Sequence, residues 1–352
     1  MLNVYTDINH YKNCYRNHLV DLLRPIIPEN KLSQYGIREQ IIKLEDNIEN
    51  CDICLLPMSW NYYLENGLIN VANTFIQKAH LNNKKIIIWT KGDFYYSIPK
   101  NQDIIEMQYS TYKSKSNSIT FSLPVIINDP LVALDKKSIL VKSYYTKPLI
   151  GFCGQVDSRM LVSIIKLIIL IWEKFAYYFN LSNYYAGPII PPTYIRKKIL
   201  NILERSNLLK TNIIRRDNYK GGKLKGDVSF DKLNFEFYNN IIETDYTVCI
   251  RGRGNFSARL YETLALGRIP VLFNTDSMLP FSKEINWEDH LIFIDKYKSN
   301  KFVDEILEFH NSLSKEEFRK IQINNRKLWE EYFYFPNYYK KIINHLKEYV
   351  NE

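Results

Sequence analysis

CIRGRGNFSARLYETLALGRIPV, running from Cys249 to Val271, decides how this chain is read. Twelve glycines serve all 352 residues, yet three fall in this stretch, beside Arg251, Arg253 and Arg259, with Ser257 and Glu262 close by. An arginine taken out of water is costly unless acceptors or an anion meet it, so the stretch asks for a ligand before it asks for a fold. TVCI reads as a strand, RGRGNF as a glycine-containing loop, and SARLYETLALG as a helix closed by Gly267. In a parallel α/β sheet such a loop lies at the carboxyl edge, where ligands bind. Gly252 and Gly254 let the backbone approach closely, Arg251 and Arg253 offer planar forks of donors, and Ser257 can cap the helix or donate to a phosphate at its positive end. At about 100° per residue, Leu260, Tyr261 and Leu264 share one side, while Arg259 and Glu262 lie roughly 60° apart on the other. A carboxylate there can accept both hydroxyls of a ribose while the arginine answers a diphosphate. The plain alternative is a surface ion pair worth on the order of a few tenths of a kcal/mol. The loop is neither a P-loop nor a G-x-G-x-x-G turn.

The length suits two domains, and 46% hydrophobic with 24% charged residues is an ordinary globular balance. A formal charge of +9 favours anionic partners, although scattered lysines such as Lys197, Lys198, Lys223 and Lys225 read mainly as solvated faces. MLNVYTDINHY has no secretory leader, and LVSIIKLIILIW, interrupted by Lys166, falls short of the roughly 20 residues that span a bilayer. It reads as a buried helix, and the expected location is the cytoplasm. Five cysteines carry no disulfide framework. Cys51 and Cys54 form a C-x-x-C in CDICLLP, but on a strand residues three apart face opposite ways, so a redox or zinc pair is not expected.

Short apolar runs alternate with amphipathic segments, the pattern of β-α-β units around parallel sheets. LNVYTDI, DICLLPM and KKIIIWT read as strands, with helices through NHLVDLL and from Leu68 to His80. From Asp93 to Lys147 the pattern weakens into polar, serine-rich sequence. The second half repeats the logic: strand LIGFCG, a long helix from about Asp157 to Phe179, strand NIIRR, helix NFEFYNNII, strand TVCI, helix SARLYETLAL, strand IPVLF. KGGKLKGD reads as a loop, and the closing forty residues as helices broken at Pro336. Domains are expected over 1–146 and 147–330, with a helical segment over 331–352 crossing back to the first.

The run FYNNIIETDYTVCIRGRGNFSARLYETLALGRIPVLFNTDSMLPFSKEINW resembles the exostosin-like glycosyltransferases of family 47. Their pattern has a strand ending in Cys, then Arg-Gly, a serine, Arg, Glu, Ile-Pro-Val, and later Leu-Pro-Phe with Trp. IQINNRKLWEEYF and KPLIGFCG support the likeness, which is firm over Asn234 to Trp287 and weaker from Lys147. It implies a GT-B fold, two Rossmann-like domains facing across a cleft, with donor nucleotide sugar in the second, acceptor mainly in the first, and inversion at the anomeric carbon. It further implies that Arg251, Ser257 and Arg259 meet the donor diphosphate and that Glu262 sits toward the ribose. Arg253 is less fixed in the family. Arg268 stands where many relatives have Cys and is expected to touch packing more than chemistry.

Inversion needs a base for the acceptor hydroxyl and a counter-charge for the leaving diphosphate. With no D-x-D in the chain, arginines and a helix N-terminus are expected to take the place of a metal, so no cofactor is foreseen. Candidate bases are Asp7 and His10, after the first strand, and Asp93, in the KGD turn; a cap or turn role is the ordinary reading of each. Arg159 is a further donor-binding candidate, and Asp157 reads as a cap. Trp60 and Tyr62 could stack on an acceptor sugar, with core packing as the alternative. Trp287 reads as structural. The expected partners are a nucleotide-diphosphate sugar, a glycan or lipid-linked acceptor in surface polysaccharide synthesis, and peripheral contact with an anionic membrane. Two other readings are a nucleotide-sugar-binding relative without turnover, and a basic nucleic-acid binder, for which no recognised RNA motif is present.

Overall fold

The computed structural model describes the chain apart from residues 118, 157–159, 218–229, 296–300 and 352, and apart from the side chains of 160–162, 230–232 and 351. Its first half contributes β1 (Leu2–Tyr5), β2 (Ile42–Glu45), β3 (Ile53–Leu55), β4 (Ile86–Trp89), β5 (Tyr95–Tyr96), β6 (Ile104–Gln108) and β7 (Thr120–Ser122). With β5 aside, these form one all-parallel sheet in the order β2-β1-β3-β4-β6-β7. IIIW of β4 is buried at every position, as a strand covered on both faces requires. Helices α1 (Trp60–Glu65), α2 (Ile69–Leu81) and α3 (Pro130–Ala133) belong to this half. NHLVDLL is not the helix its spacing suggests. It forms a short 3-10 turn and a bridge from Leu19 to Met58, which buries Leu19, Leu22 and Leu23 without a regular helix.

The second sheet follows the order β10-β8-β11-β12-β13, again all parallel. Its strands are β8 (Leu149–Gln155), β10 (Lys210–Arg216), β11 (Tyr246–Cys249), β12 (Ile269–Phe273) and β13 (Ile292–Ile294). A two-residue β9 (Tyr184–Tyr185) runs antiparallel to β5 and ties the halves together. Helices α4 (Met160–Tyr178), α5 (Pro192–Arg205), α6 (Phe230–Glu243), α7 (Ala258–Ala265) and α8 (Phe302–Ser312) accompany this sheet. Ile199 and Leu203 of α5 and Phe302 and Ile306 of α8 close one core with Phe152, Val248 and Val271. The chain is thus two Rossmann-like α/β domains in series.

After α9 (Lys315–Leu328) a single π-helical turn, Trp329–Phe333, leads into α10 (Phe335–Asn351). Pro336 falls in the first turn of α10, where its missing N–H disrupts nothing. The buried face of α10, Tyr338, Tyr339, Ile342, Ile343 and Leu346, packs into the core of the first sheet.

Two expectations are corrected. The apolar α4 is held to the body by Leu170 and Ala176, but most of its surface is exposed, with Ile168 at 61% and Trp172 at 62%. Cys51 and Cys54 do meet, Sγ to Sγ 3.9 Å and both buried. Cys51 is the residue that closes the 3-10 turn Ile48–Asn50, two positions before β3 begins, so strand alternation does not govern where it points.

Candidate functional site

In each sheet the chain begins on an inner strand, adds one neighbour, then returns to the other side. This creates a topological switch point between β1 and β3, and another between β8 and β11, where the outgoing loops diverge and leave a crevice. Arg259, in the first turn of α7, occupies the crevice of the second sheet. Its Nη2 donates to the Cys153 carbonyl at 2.6 Å and its Nη1 to that of Val248 at 3.4 Å, one acceptor from each diverging strand. The guanidinium carbon lies 4.2 Å from the Phe152 ring centroid and 5.4 Å from that of Phe237. Gly154 makes room for it, since a Cβ there would stand 2.6 Å from Nη2. The Arg259 Nε is buried and has no hydrogen-bond partner among the described residues. Burial pulls the guanidinium below its usual pKa, against the raising influence of Cys249 and Glu262.

Glu262 lies three residues on, half-buried, within electrostatic reach of Arg259 and of Tyr238. Beside them is Arg216, at the carboxyl end of β10, which donates to Leu233 O at 2.8 Å and pairs with Glu236 at 2.6 Å. The crevice therefore gathers two guanidinium groups, aromatic faces and a helix N-terminus. Arg216, Phe152 and Phe237 escaped the sequence reading; the RR ending NIIRR was the available signal. Asp157 and Arg159 lie outside the described residues, as does KGGKLKGD.

The other arginines of the loop have different surroundings. Arg251 is buried, and its guanidinium donates to Tyr112 Oη and Asn255 Oδ1, both at 3.0 Å, and to Arg253 O at 2.8 Å. Asn255 extends this seam, donating from its amide N to Ser110 Oγ at 2.9 Å and from Nδ2 to Thr111 O at 2.7 Å. Instead of an open fork facing an anion, Arg251 is a brace that bolts the loop to the first domain. Arg253 pairs with Glu173 of α4 and stacks over Phe94 at 5.1 Å. Ser257 takes the N-cap position of α7, buried, with no side-chain cap bond. Arg196 of α5 supports the crevice from below by donating to Gln155 O at 3.2 Å and Arg251 O at 2.9 Å. Arg268 is fully buried at the start of β12, where it donates to Ile242 O and Gln322 Oε1. Its role is to tie α6, β12 and α9 together.

A cleft of about 1370 Å³ opens between the halves, with Phe256 of the loop on one wall and His18, Asp21, Asn61, Lys91 and Tyr109 on the other. Asp21 is buried; burial raises its pKa, but Lys91 at 2.8 Å and Arg24 at 3.3 Å, with a bond from Tyr109, bring it below the usual carboxylate value. His18 Nδ1 lies 3.0 Å from Ser59 Oγ, and burial lowers its pKa below 6.5.

Of the three bases foreseen, Asp7 and His10 meet each other at 3.6 Å at the switch point of the first sheet, where Asp7 caps its turn through Asn9 N and His10 Nδ1 contacts Tyr63 Oη at 2.9 Å. Neither is among the residues lining the cleft. Asp93 lies beside Lys91 and Gly92, which do line it, and desolvation raises its pKa while Arg253 and Arg251 pull it down. Trp60 and Tyr62 are core residues: both are buried, and Trp60 Nε1 donates to Ser97 O at 3.1 Å. Trp287 is buried, donating to Pro280 O at 3.0 Å. His18 and Asp21 were missed because the spacing of NHLVDLL reads as a helix, and Lys91 because Asp93 drew the reading of the KGD turn.

Comparison with known proteins identifies residues 191–309 as matching the exostosin GT47 domain. Over 71 residues the chain is 35% identical to "Probable beta-1,4-xylosyltransferase IRX10L" of Arabidopsis thaliana, a match covering 20% of this chain and 17% of that protein. Over 78 residues it is 32% identical to "Probable glucuronosyltransferase GUT1" of Oryza sativa subsp. japonica, covering 22% of this chain and 18% of the relative. The matches thus span under a fifth of these relatives' lengths. A solved glycosyltransferase from Rickettsia africae ESF-5 aligns over 100% of this chain and 99% of its own, at 12% identity and a TM-score of 0.41. The fold assignment rests on the strand order of the two sheets.

Proposed function

We propose that this exostosin-like glycosyltransferase moves a sugar from a nucleotide diphosphate to a glycan or lipid-linked acceptor, with inversion and without a metal. The observation that carries this reading is Arg259 in the β8–β11 crevice, backed by Arg216 and with no partner at Nε among the described residues. The diphosphate would lie across these two guanidinium groups and the N-terminus of α7, with the ribose toward Glu262. Charge leaving with the diphosphate is then met by fixed donors, the kind of preorganised electrostatics that does most in a site shielded from water. The absence of a D-x-D sequence supports the metal-free reading.

The acceptor would enter the large cleft. His18 supports the role of base better than the residues foreseen, because it lines that cleft and its lowered pKa keeps it neutral near pH 7. In the tautomer whose Nδ1–H donates to Ser59, Nε2 holds the lone pair that takes the hydroxyl proton. The names of the plant relatives, a probable beta-1,4-xylosyltransferase and a probable glucuronosyltransferase, support sugar transfer; surface polysaccharide synthesis on the cytoplasmic side of a membrane is the setting we propose for it.

Calorimetric titration with UDP, GDP and their sugar conjugates, with and without EDTA, tests the donor site. Saturable binding that survives EDTA and weakens in Arg259→Ala and Glu262→Ala is expected. A folded protein that binds no nucleotide at millimolar concentration would falsify the assignment.

A further inference from the structure

The charge and exposure of α4 mark it as a surface for a partner. Ile165, Ile168, Trp172, Phe175 and Phe179 are 57, 61, 62, 45 and 63% exposed. At helical spacing they fall within one arc, opposite Leu170. Further α4 residues widen the arc on both sides: Ile164, Ile169, Ile171 and Tyr178 are 41, 45, 49 and 62% exposed. A contiguous apolar surface of this extent on a polar protein needs a cover.

The charges around the patch select the cover. Between residues 163 and 181 the sole acid is Glu173, and it is paired with Arg253. The other charged residues of that span, Lys166 and Lys174, are basic. At helical spacing Lys174 and Lys166 stand at the two edges of this widened arc. Lys115 lies over the Tyr185 and Tyr177 rings at 4.2 and 5.2 Å, which brings a further cation to the C-terminal end of the helix, where Tyr178 supplies a ring with a polar edge. Apolar side chains with interfacial aromatics and a basic surround fit an anionic bilayer. A second copy of the same face would set lysine against lysine across a two-fold axis.

We infer that the exposed face of α4 forms a membrane-docking surface that lies flat on anionic lipid. Among the described residues no helix is long and apolar enough to cross a membrane, which agrees with a helix lying in the interface. Arg251 and Arg253 wall the cavity that Leu170 also lines, so docking would set the arginine loop across α4 from the headgroups, one helix away. A link from that position to a lipid-linked acceptor rests on the proposed transfer reaction; the docking surface does not.

The test is co-sedimentation of the full chain with vesicles of phosphatidylcholine alone or mixed with phosphatidylglycerol, at low and high salt. The wild type should bind the mixed vesicles and release with salt. The Ile168→Glu, Trp172→Glu double variant should lose about tenfold or more of that partitioning, with circular dichroism and nucleotide titration unchanged. Lys166→Glu with Lys174→Glu, which leaves the apolar arc intact, should weaken binding to the mixed vesicles alone. Absence of wild-type binding, or equal binding by both variants, overturns the inference. So does a concentration-dependent dimer in sedimentation velocity that the double variant dissolves, which would make the face a self-interface. Vesicle binding without any nucleotide binding would instead overturn the donor-site reading and leave the docking surface standing.

Discussion

Gly154→Ala tests the crevice through a residue that no ligand needs to touch. The added Cβ would stand 2.6 Å from Arg259 Nη2, while its other neighbours, atoms of the Phe152 ring, are at 3.5 and 3.7 Å, which is ordinary contact. The clash falls on the far end of a long side chain, so the fold survives while the guanidinium moves by close to an ångström. That shift weakens the bond to Cys153 O, now 2.6 Å, and slides the cation off the Phe152 ring. A hydrogen bond to a charged group contributes about 1.5–3 kcal/mol and an aromatic contact about 0.5–2. Stability should therefore fall by about 2 kcal/mol, and donor affinity by at least about tenfold, the equivalent of about 1.4 kcal/mol. Both would be read by thermal melting and nucleotide titration in a double-mutant cycle with Arg259→Ala. If the guanidinium carries the effect, Gly154→Ala is nearly silent on affinity in the Arg259→Ala background. A full loss in that background, or none in the wild-type background, would refute the placement of the donor phosphates.

Three further outcomes are expected. Arg251→Ala should lower stability by about 2–4 kcal/mol, because Tyr112 and Asn255 lose a buried donor, while affinity for nucleotide falls less than in Arg259→Ala; the reverse order would make Arg251 the phosphate ligand. The acid limb of kcat/KM should have a midpoint below 6.5, since burial lowers the His18 pKa and activity needs the neutral ring, so rate is lost as pH falls through that value. His18→Gln should abolish the limb; a limb that persists there but vanishes in Asp93→Asn would transfer the role. Arg268→Met should destabilise by about 3 kcal/mol through the orphaned Ile242 carbonyl and the lost bond to Gln322, with nucleotide affinity per folded molecule unchanged; a specific loss of affinity would contradict its packing role.

Much of the architecture was legible because parallel strands covered on both faces spell themselves out as unbroken apolar runs, as IIIW and IPVLF do. The edge of the first sheet was less so. β6 and β7 sit in polar-looking sequence, since Glu106, Gln108 and Thr120 are buried and bonded to one another, a pairing that composition does not announce. The strand-loop-helix around Arg259 was recognisable from residue types alone. What separated Arg259 from Arg251 was not, because Tyr112, which accepts from Arg251, and the Ser110 and Thr111 groups that hold its neighbour Asn255 arrive from far away in sequence. The exposure of α4 was hidden for a related reason: an apolar helix reads the same whether protein or another apolar phase receives it.

The return of α10 sets an order for folding. The second domain has its own contiguous core, built from β8 to α9, and can consolidate as soon as that stretch has left the ribosome. The first domain cannot, although it is made first, because Tyr338, Ile342 and Leu346 complete the apolar floor beneath its sheet. Until residue 346 is synthesised, β1 to β7 exist with that floor open, so the earlier-made half waits on the later-made one. Newly made chains would then present their greatest need for chaperone cover early and lose it only once α10 has emerged to dock.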